Sequence, residues 1–293
     1  MLSALPRVRD MLELLTYQFM RNAVLASIVG GVSCGMVGTF VVMLRIPLVG
    51  VAMAHAAFAG AIVGVVFGLN PLVSSIFLAL LSASLIGPLA ERTNLDPNMS
   101  IGVIFAAVLG VAFLSMGFIE GPKSDVLQYI WGNILTVSTE DIFLMAAVGA
   151  AVLLFVVLLY KEIQSVLFNR EIAASVGIHE RPIYYGMLFA VGLVICLNLN
   201  TIGGLLIFSL IINPAAAAYQ LTYRLRNLFL LSALFGAVVC LLGLAVSYVF
   251  NVPSGAVIIV VSSVLLGLTV VISPKKRTRL RHCLTRGGGT NEA

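Results

Sequence analysis

The sequence predicts an all-α integral membrane protein, a polytopic bundle of about nine transmembrane helices, and three observations predict it. Of 293 residues, 60% are apolar and 10% charged, with a mean hydropathy of +1.10. Soluble domains run at roughly 45–50% apolar and roughly 25% charged. Next, residues 22–44, 46–90, 97–119, 142–160, 182–223 and 227–274 hold no Asp, Glu, Lys or Arg. Last, each run long enough to cross twice carries a turn signal near its centre.

A helix needs about 20 residues to cross about 30 Å of hydrocarbon, so run 22–44 is one span. Run 46–90 divides at Asn70-Pro71, and runs 97–119 and 142–160 are single spans. Run 182–223 divides at Asn198-Leu199-Asn200-Thr201, and run 227–274 at Asn251-Val252-Pro253-Ser254-Gly255. Three segments result: an N-terminal stretch 1–21, whose residues 11–19 are amphipathic and suit the membrane interface; a transmembrane domain 22–274; and a basic tail 275–293, expected to be disordered.

An odd number of spans puts the termini on opposite sides. Lys275, Lys276, Arg277, Arg279, Arg281 and Arg286 place the C-terminus in the cytoplasm of a cell inner membrane. Alternation then places Arg45 and residues 91–96, 161–181 and 224–226 inside, and the acidic loop 120–141 outside. Arg7, Arg9 and Arg21 run against this rule. The net charge of +5 is spread over membrane ends, so the expected partner is lipid and not nucleic acid. Cys34, Cys196 and Cys240 lie in apolar spans and Cys283 in the tail, with no CxxC, so neither a disulfide framework nor a zinc knuckle is indicated.

Gly31 and Gly35, and Gly60, Gly64 and Gly68, have the GxxxG spacing that lets helices touch backbone to backbone. In span seven Pro214 removes a helix hydrogen bond and is expected to kink or break the helix, either as a packing kink or beside a substrate path. The segment KEIQSVLFNREIAASVGIHERP mixes apolar and charged residues. Asn169 suits the N-cap of a short helix with Glu171 in its first turn, and Gly177 suits its end. Such a helix is either a linker or a docking element for a soluble partner.

No GxxxxGK[ST] loop is present, so ATP chemistry of that kind must come from another protein. Apart from thiols and tyrosines, the only ionisable side chain within the spans is His55, which argues against a proton- or sodium-coupled transporter. With no Asp pair and no HExxH, it argues against an intramembrane protease too. No catalytic residue and no enzyme activity are expected.

The stretches GTFVVMLRIPLVGVAMAHAAFAGA, WGNILTVSTEDI, NREIAASVGI, GGLLIFSLIINPAAAA and LAVSYVFNVPSGAVIIV occur in that order between about Met11 and Val270. In order and spacing they resemble the permease subunits of zinc, manganese and iron ABC importers. That resemblance implies a homodimer with the path near its two-fold axis, a cytoplasmic ATPase that carries the ATP, and an extracytoplasmic metal-binding protein. The divalent ion would be transported substrate, with no cofactor bound by this chain. A coupling helix at about 164–180 would dock in the ATPase, with Asn169 as its cap and Glu171, Ala173, Ala174 and Gly177 matching the family pattern. The family commonly has Asp four residues before the span-two His and Asp before the last Pro; here Val51 and Asn251 stand there.

His55 lies about nine residues into its span, about 14 Å deep at 1.5 Å per residue. Val51 is one turn away on the same face, so the missing Asp removes a carboxylate–imidazole pair for a divalent ion. The substrate path is expected along His55, Val51, Asn213 and Pro214, with His55 the metal ligand; otherwise His55 bonds a neighbouring helix carbonyl and holds the bundle. Cys34, Met36, Met43, Met99, Met116 and Cys196 are soft candidates that usually serve as core filler. Importing a chelated or non-metal solute, or acting as a secondary transporter or channel without an ATPase, are the alternatives.

Overall fold

The structure is a computed structural model that describes residues 17–119 and 137–273. The expectations for residues 1–16 of the N-terminal stretch, most of loop 120–141 and the basic tail therefore lie outside the described residues, while residues 18–21 join the first helix. Within them the chain is helical: α1 (Gln18–Leu44), α2 (Leu48–Val66), α3 (Pro71–Thr93), α4 (Pro97–Gly117), α5 (Thr139–Leu158), α6 (Tyr160–Phe168), α7 (Arg170–Ser175), α8 (Glu180–Ile202), α9 (Gly204–Leu221), α10 (Leu225–Phe250) and α11 (Ser254–Ile272). Eight of these are long and apolar enough to cross a membrane, and the ninth expected span is the shorter apolar stretch Ile207–Leu221 in α9.

Local chemistry sets the ends. Arg45 takes the left-handed conformation (φ 58°), and the Ile46 amide returns to the Val41 carbonyl, so α1 turns into α2 across three residues. Asn70 caps α3 by accepting from the Leu72 and Val73 amides, with Pro71 at the first helical position, where no N–H is needed. Asp96 caps α4 in the same way. Ser138 and Asp141 form a reciprocal capping box at α5. At its beginning α1 is tied to the start of α5, because Asn22 Nδ2 donates to the Val137 carbonyl at 3.2 Å.

One break falls elsewhere than expected. The Asn198-Leu199-Asn200-Thr201 signal lies inside α8, and the chain bends at Gly203 (φ 92°, ψ 143°). Asn198 is turned inward and donates to the Val194 carbonyl of its own helix, so its NH2 group finds an acceptor without a turn. Pro214, in turn, lies inside α9 and does not end it.

The inner helices are α1, α2 and α8, whose spanning windows are 67%, 72% and 67% buried; α5 and α11, at 17%, are outermost. Close approach relies on the predicted glycines. A Cβ on Gly31 would fall on the Gly236 backbone of α10, and one on Gly35 on the Ser232 carbonyl. Gly60 and Gly64 stand in the same way against Ser74 of α3. Gly68 differs: it has open space and φ 66°, and it closes the end of α2. Thr39 adds an interhelical bond to Ser232 at 3.2 Å. Gly35→Val is expected to cost about 1–3 kcal/mol by overpacking, which lowers the unfolding midpoint of the detergent-solubilised protein by roughly 5 °C.

Candidate functional site

His55 is the eighth residue of the nineteen-residue α2, near the middle of an inner helix. Its neighbours Ala52, Met53, Ala54, Ala56 and Ala57 are buried, whereas Val51 and His55 are only half-buried. With exposed Leu48 they form a stripe at helical spacing that the described residues leave partly uncovered. Met53 points the other way, 3.8 Å from where a Cβ on Gly192 of α8 would sit.

The ring is held at two points. His55 Nδ1 lies 2.9 Å from the Val51 carbonyl, and the ring meets Phe105 of α4 edge-on, with centroids 5.0 Å apart and planes at 89°. A carbonyl only accepts, so Nδ1 carries the proton and Nε2 carries the lone pair. Metal-binding histidines are oriented this way, with one ring nitrogen bonded to a carbonyl and the other free to coordinate. The carbonyl belongs to the histidine's own helix, so the bond does not lock two helices together. Val51 thus contributes a backbone oxygen that sets the tautomer, although its side chain supplies no ligand.

Asn213, in mid-α9, is half-buried and reaches α11. Its Nδ2 donates to Ser262 Oγ at 2.9 Å and to Ser263 Oγ at 3.2 Å. Ser262 already gives its proton to the Ile259 carbonyl, so it must accept, which fixes the amide orientation. Asn213 Oδ1 accepts no hydrogen bond among the described residues. Pro214 beside it is buried and packs as a core residue. The serine pair was not legible from the sequence because it lies about 50 positions away, on another helix.

The remaining soft candidates do not assemble. Cys34 and Cys196 are fully buried; Cys196 Sγ donates to the Ser75 carbonyl at 3.5 Å, and Met99 faces outward. Among the described residues no group of three or more His, Cys, Asp or Glu comes together. A transient site, in contrast, needs only a few donors and water.

The segment 164–180 is two helices with a break at Asn169, whose backbone is extended (φ −163°, ψ 121°). Asn169 Oδ1 accepts from the Glu171 amide at 2.8 Å and the Ile172 amide at 3.1 Å, so it caps α7. Gly177 (φ 88°) ends the turn, with the Ile178 amide returning to the Ala173 carbonyl. Asn169, Glu171, Ala174 and Gly177 are exposed, whereas Ala173 is buried and so serves packing. Phe168, Ile172 and Val176 are 82%, 53% and 74% exposed, a row of large apolar side chains at a helix end.

The model of one transport family, the ABC 3 transport family, matches residues 16–273. The manganese transport system membrane protein MntC of Halalkalibacterium halodurans is 29% identical over 270 residues, 92% of each chain. The manganese import system permease protein ScaB of Streptococcus parasanguinis is 29% identical over 92% of this chain and 95% of its own. Among solved structures, PsaBC from Streptococcus pneumoniae in complex with Fab superposes with a TM-score of 0.83 at 28% identity, covering 92% of this chain and 98% of that one.

Proposed function

The chain belongs to the ABC 3 transport family, and from that premise we propose that it is the permease of an importer for a divalent metal ion, manganese foremost. An ATPase docks from the cytoplasm on α6–α7, and a metal-binding protein delivers the ion from outside. The metal reading is supported by relatives at 28–29% identity that are named for manganese transport. The observation that carries it in this chain is the half-buried His55, with Nδ1 satisfied by Val51 and Nε2 available on the partly uncovered stripe of α2.

Manganese prefers oxygen donors and stands lowest in the divalent affinity order, so one imidazole, amide or hydroxyl oxygens and water make a site that releases its ion. Asn213 Oδ1 on α9 is an oxygen of that kind, although no hydrogen bond joins it to His55 among the described residues. The stripe of Leu48, Val51 and His55, together with Gly102 and Gly110 of α4 that have nothing against them, supports a homodimer in which two such stripes face one path. The exposed apolar rim of α5 and α11 faces lipid, and the coupling end with the C-terminus is cytoplasmic.

The test is uptake of radiolabelled manganese into proteoliposomes that hold the permease, its ATPase and its binding protein. ATP-dependent uptake supports the reading; uptake that needs no ATP removes it. The missing carboxylate favours a second reading, a metal already wrapped in a chelator, which competition between free and chelated ion separates. Val51→Asp is expected to raise the affinity of the purified permease for manganese about tenfold, read by calorimetry, and to slow release.

A further inference from the structure

α7 is six residues long, and of these only Ala173 is buried. On the side of α1 and α9 a cavity of about 600 Å³ lies beside the segment, lined by residues that include Arg45, Phe168, Arg170 and Tyr219. Besides the packing of buried Ala173, one side chain ties α7 directly to the start of α8. Arg170, the first residue of α7, donates from Nε at 3.0 Å and from Nη2 at 2.8 Å to Glu180 Oε2, the first residue of α8. Its guanidinium carbon lies 4.1 Å from the ring centroid of Tyr184, one turn further along α8. The reversal at Gly177 brings residues ten positions apart into this contact.

The pair is partly withdrawn from water, with side chains 34% and 17% exposed, and the bonds are charge-assisted, so it is stronger and more directional than a surface ion pair. Arg181, 3.9 Å from the other Glu180 oxygen and 68% exposed, adds only a screened contact. From Tyr184 the helix runs inward through Met187, Leu188 and Ile195, all buried, and at Gly192 it lies against Met53, two residues before His55. α6, in contrast, is seated by Ile163, Val166 and Leu167 whether or not Arg170 is present.

We propose that Arg170, Glu180 and Tyr184 form a positioning clasp that passes the movement of α6–α7 to α8, and through Met53 to the helix that carries His55. This rests on the proposed docking of an ATPase on α6–α7. Because α6 keeps its own packing, breaking the clasp uncouples the transporter and leaves it assembled.

The experiment compares wild-type permease with Arg170→Gln, Glu180→Gln, the double variant and Arg170→Lys, each in complex with its ATPase in proteoliposomes. ATP hydrolysis and manganese uptake are measured on the same samples. Both glutamine variants are expected to retain the ATPase and hydrolyse within about twofold of wild type, while ATP consumed per ion rises about tenfold. The double variant should be no worse than either single change, because the two residues act as one unit, and Arg170→Lys should fall between. An unchanged ratio of ATP to ion in the single variants overturns the clasp, as does a double variant that multiplies the two single losses. Loss of the ATPase from the single variants also overturns it, since Arg170 would then belong to the docking surface. Wild-type uptake that proceeds without ATP overturns the functional reading itself, and the clasp with it.

Discussion

His55→Ala is expected to reduce metal uptake at least tenfold while the complex still assembles and the permease unfolds at nearly the wild-type temperature. The two halves of this expectation have separate causes. The imidazole gives its one proton to the Val51 carbonyl of its own helix, and beyond that its ring packs perpendicular to that of Phe105. Removing it therefore breaks no hydrogen bond between helices and opens only a half-buried space, so the stability change stays within about 1 kcal/mol. The Nε2 lone pair, in contrast, is the only nitrogen donor among the spanning side chains that can meet an ion at mid-depth. With Val51 offering no carboxylate, nothing one turn away can substitute, so loss of the ligand falls directly on transport. Uptake of the manganese isotope by reconstituted complex reads the first half, and thermal unfolding in detergent reads the second. Undiminished uptake would dismiss His55 as a ligand; a collapse of stability would return it to holding the bundle.

Much of the architecture was readable because charge is scarce here. Asn70, Asp96 and Arg224, which interrupt the apolar runs, each stand at the start of a helix. The misplaced break between α8 and α9 shows the limit. Asn198 resembles a turn residue in the sequence, yet inside a helix its amide reaches the carbonyl one turn back, and Gly203 then bends the chain. The site was legible as a residue and not as a geometry. A lone histidine among alanines marks itself, but its tautomer depends on a side-chain rotamer that reaches Val51. The Asn213 partners depend on the packing of α9 on α11. The link from Arg170 to Glu180 and Tyr184 needs the reversal at Gly177, which was anticipated as a helix end and not as the device that brings the three together.

The row Phe168, Ile172 and Val176 carries the other large effect. These side chains follow one another at four-residue spacing, and at 82%, 53% and 74% exposure the described residues leave them largely uncovered. Water-facing apolar groups of this size persist where a partner covers them, and a few such anchors supply most of the binding energy at an interface. Changing Ile172 and Val176 together to Glu places two carboxylates where the ATPase would bury apolar surface, and an unpaired buried charge costs about 3–5 kcal/mol. One tenfold step in affinity corresponds to about 1.4 kcal/mol, so the ATPase should bind at least about 100-fold more weakly and be lost on size-exclusion chromatography. The permease itself should remain folded, because neither side chain packs in its core; Asn169 still caps α7, and Ala173, Ile163 and Val166 keep the segment seated. Ala173→Glu gives the contrasting result, since that position is buried, and it should lower the unfolding temperature of the permease alone. If the Ile172 and Val176 double variant keeps its ATPase at the wild-type ratio, the apolar row is not the docking surface, and the partner must grip α6 or the ends of the spanning helices instead.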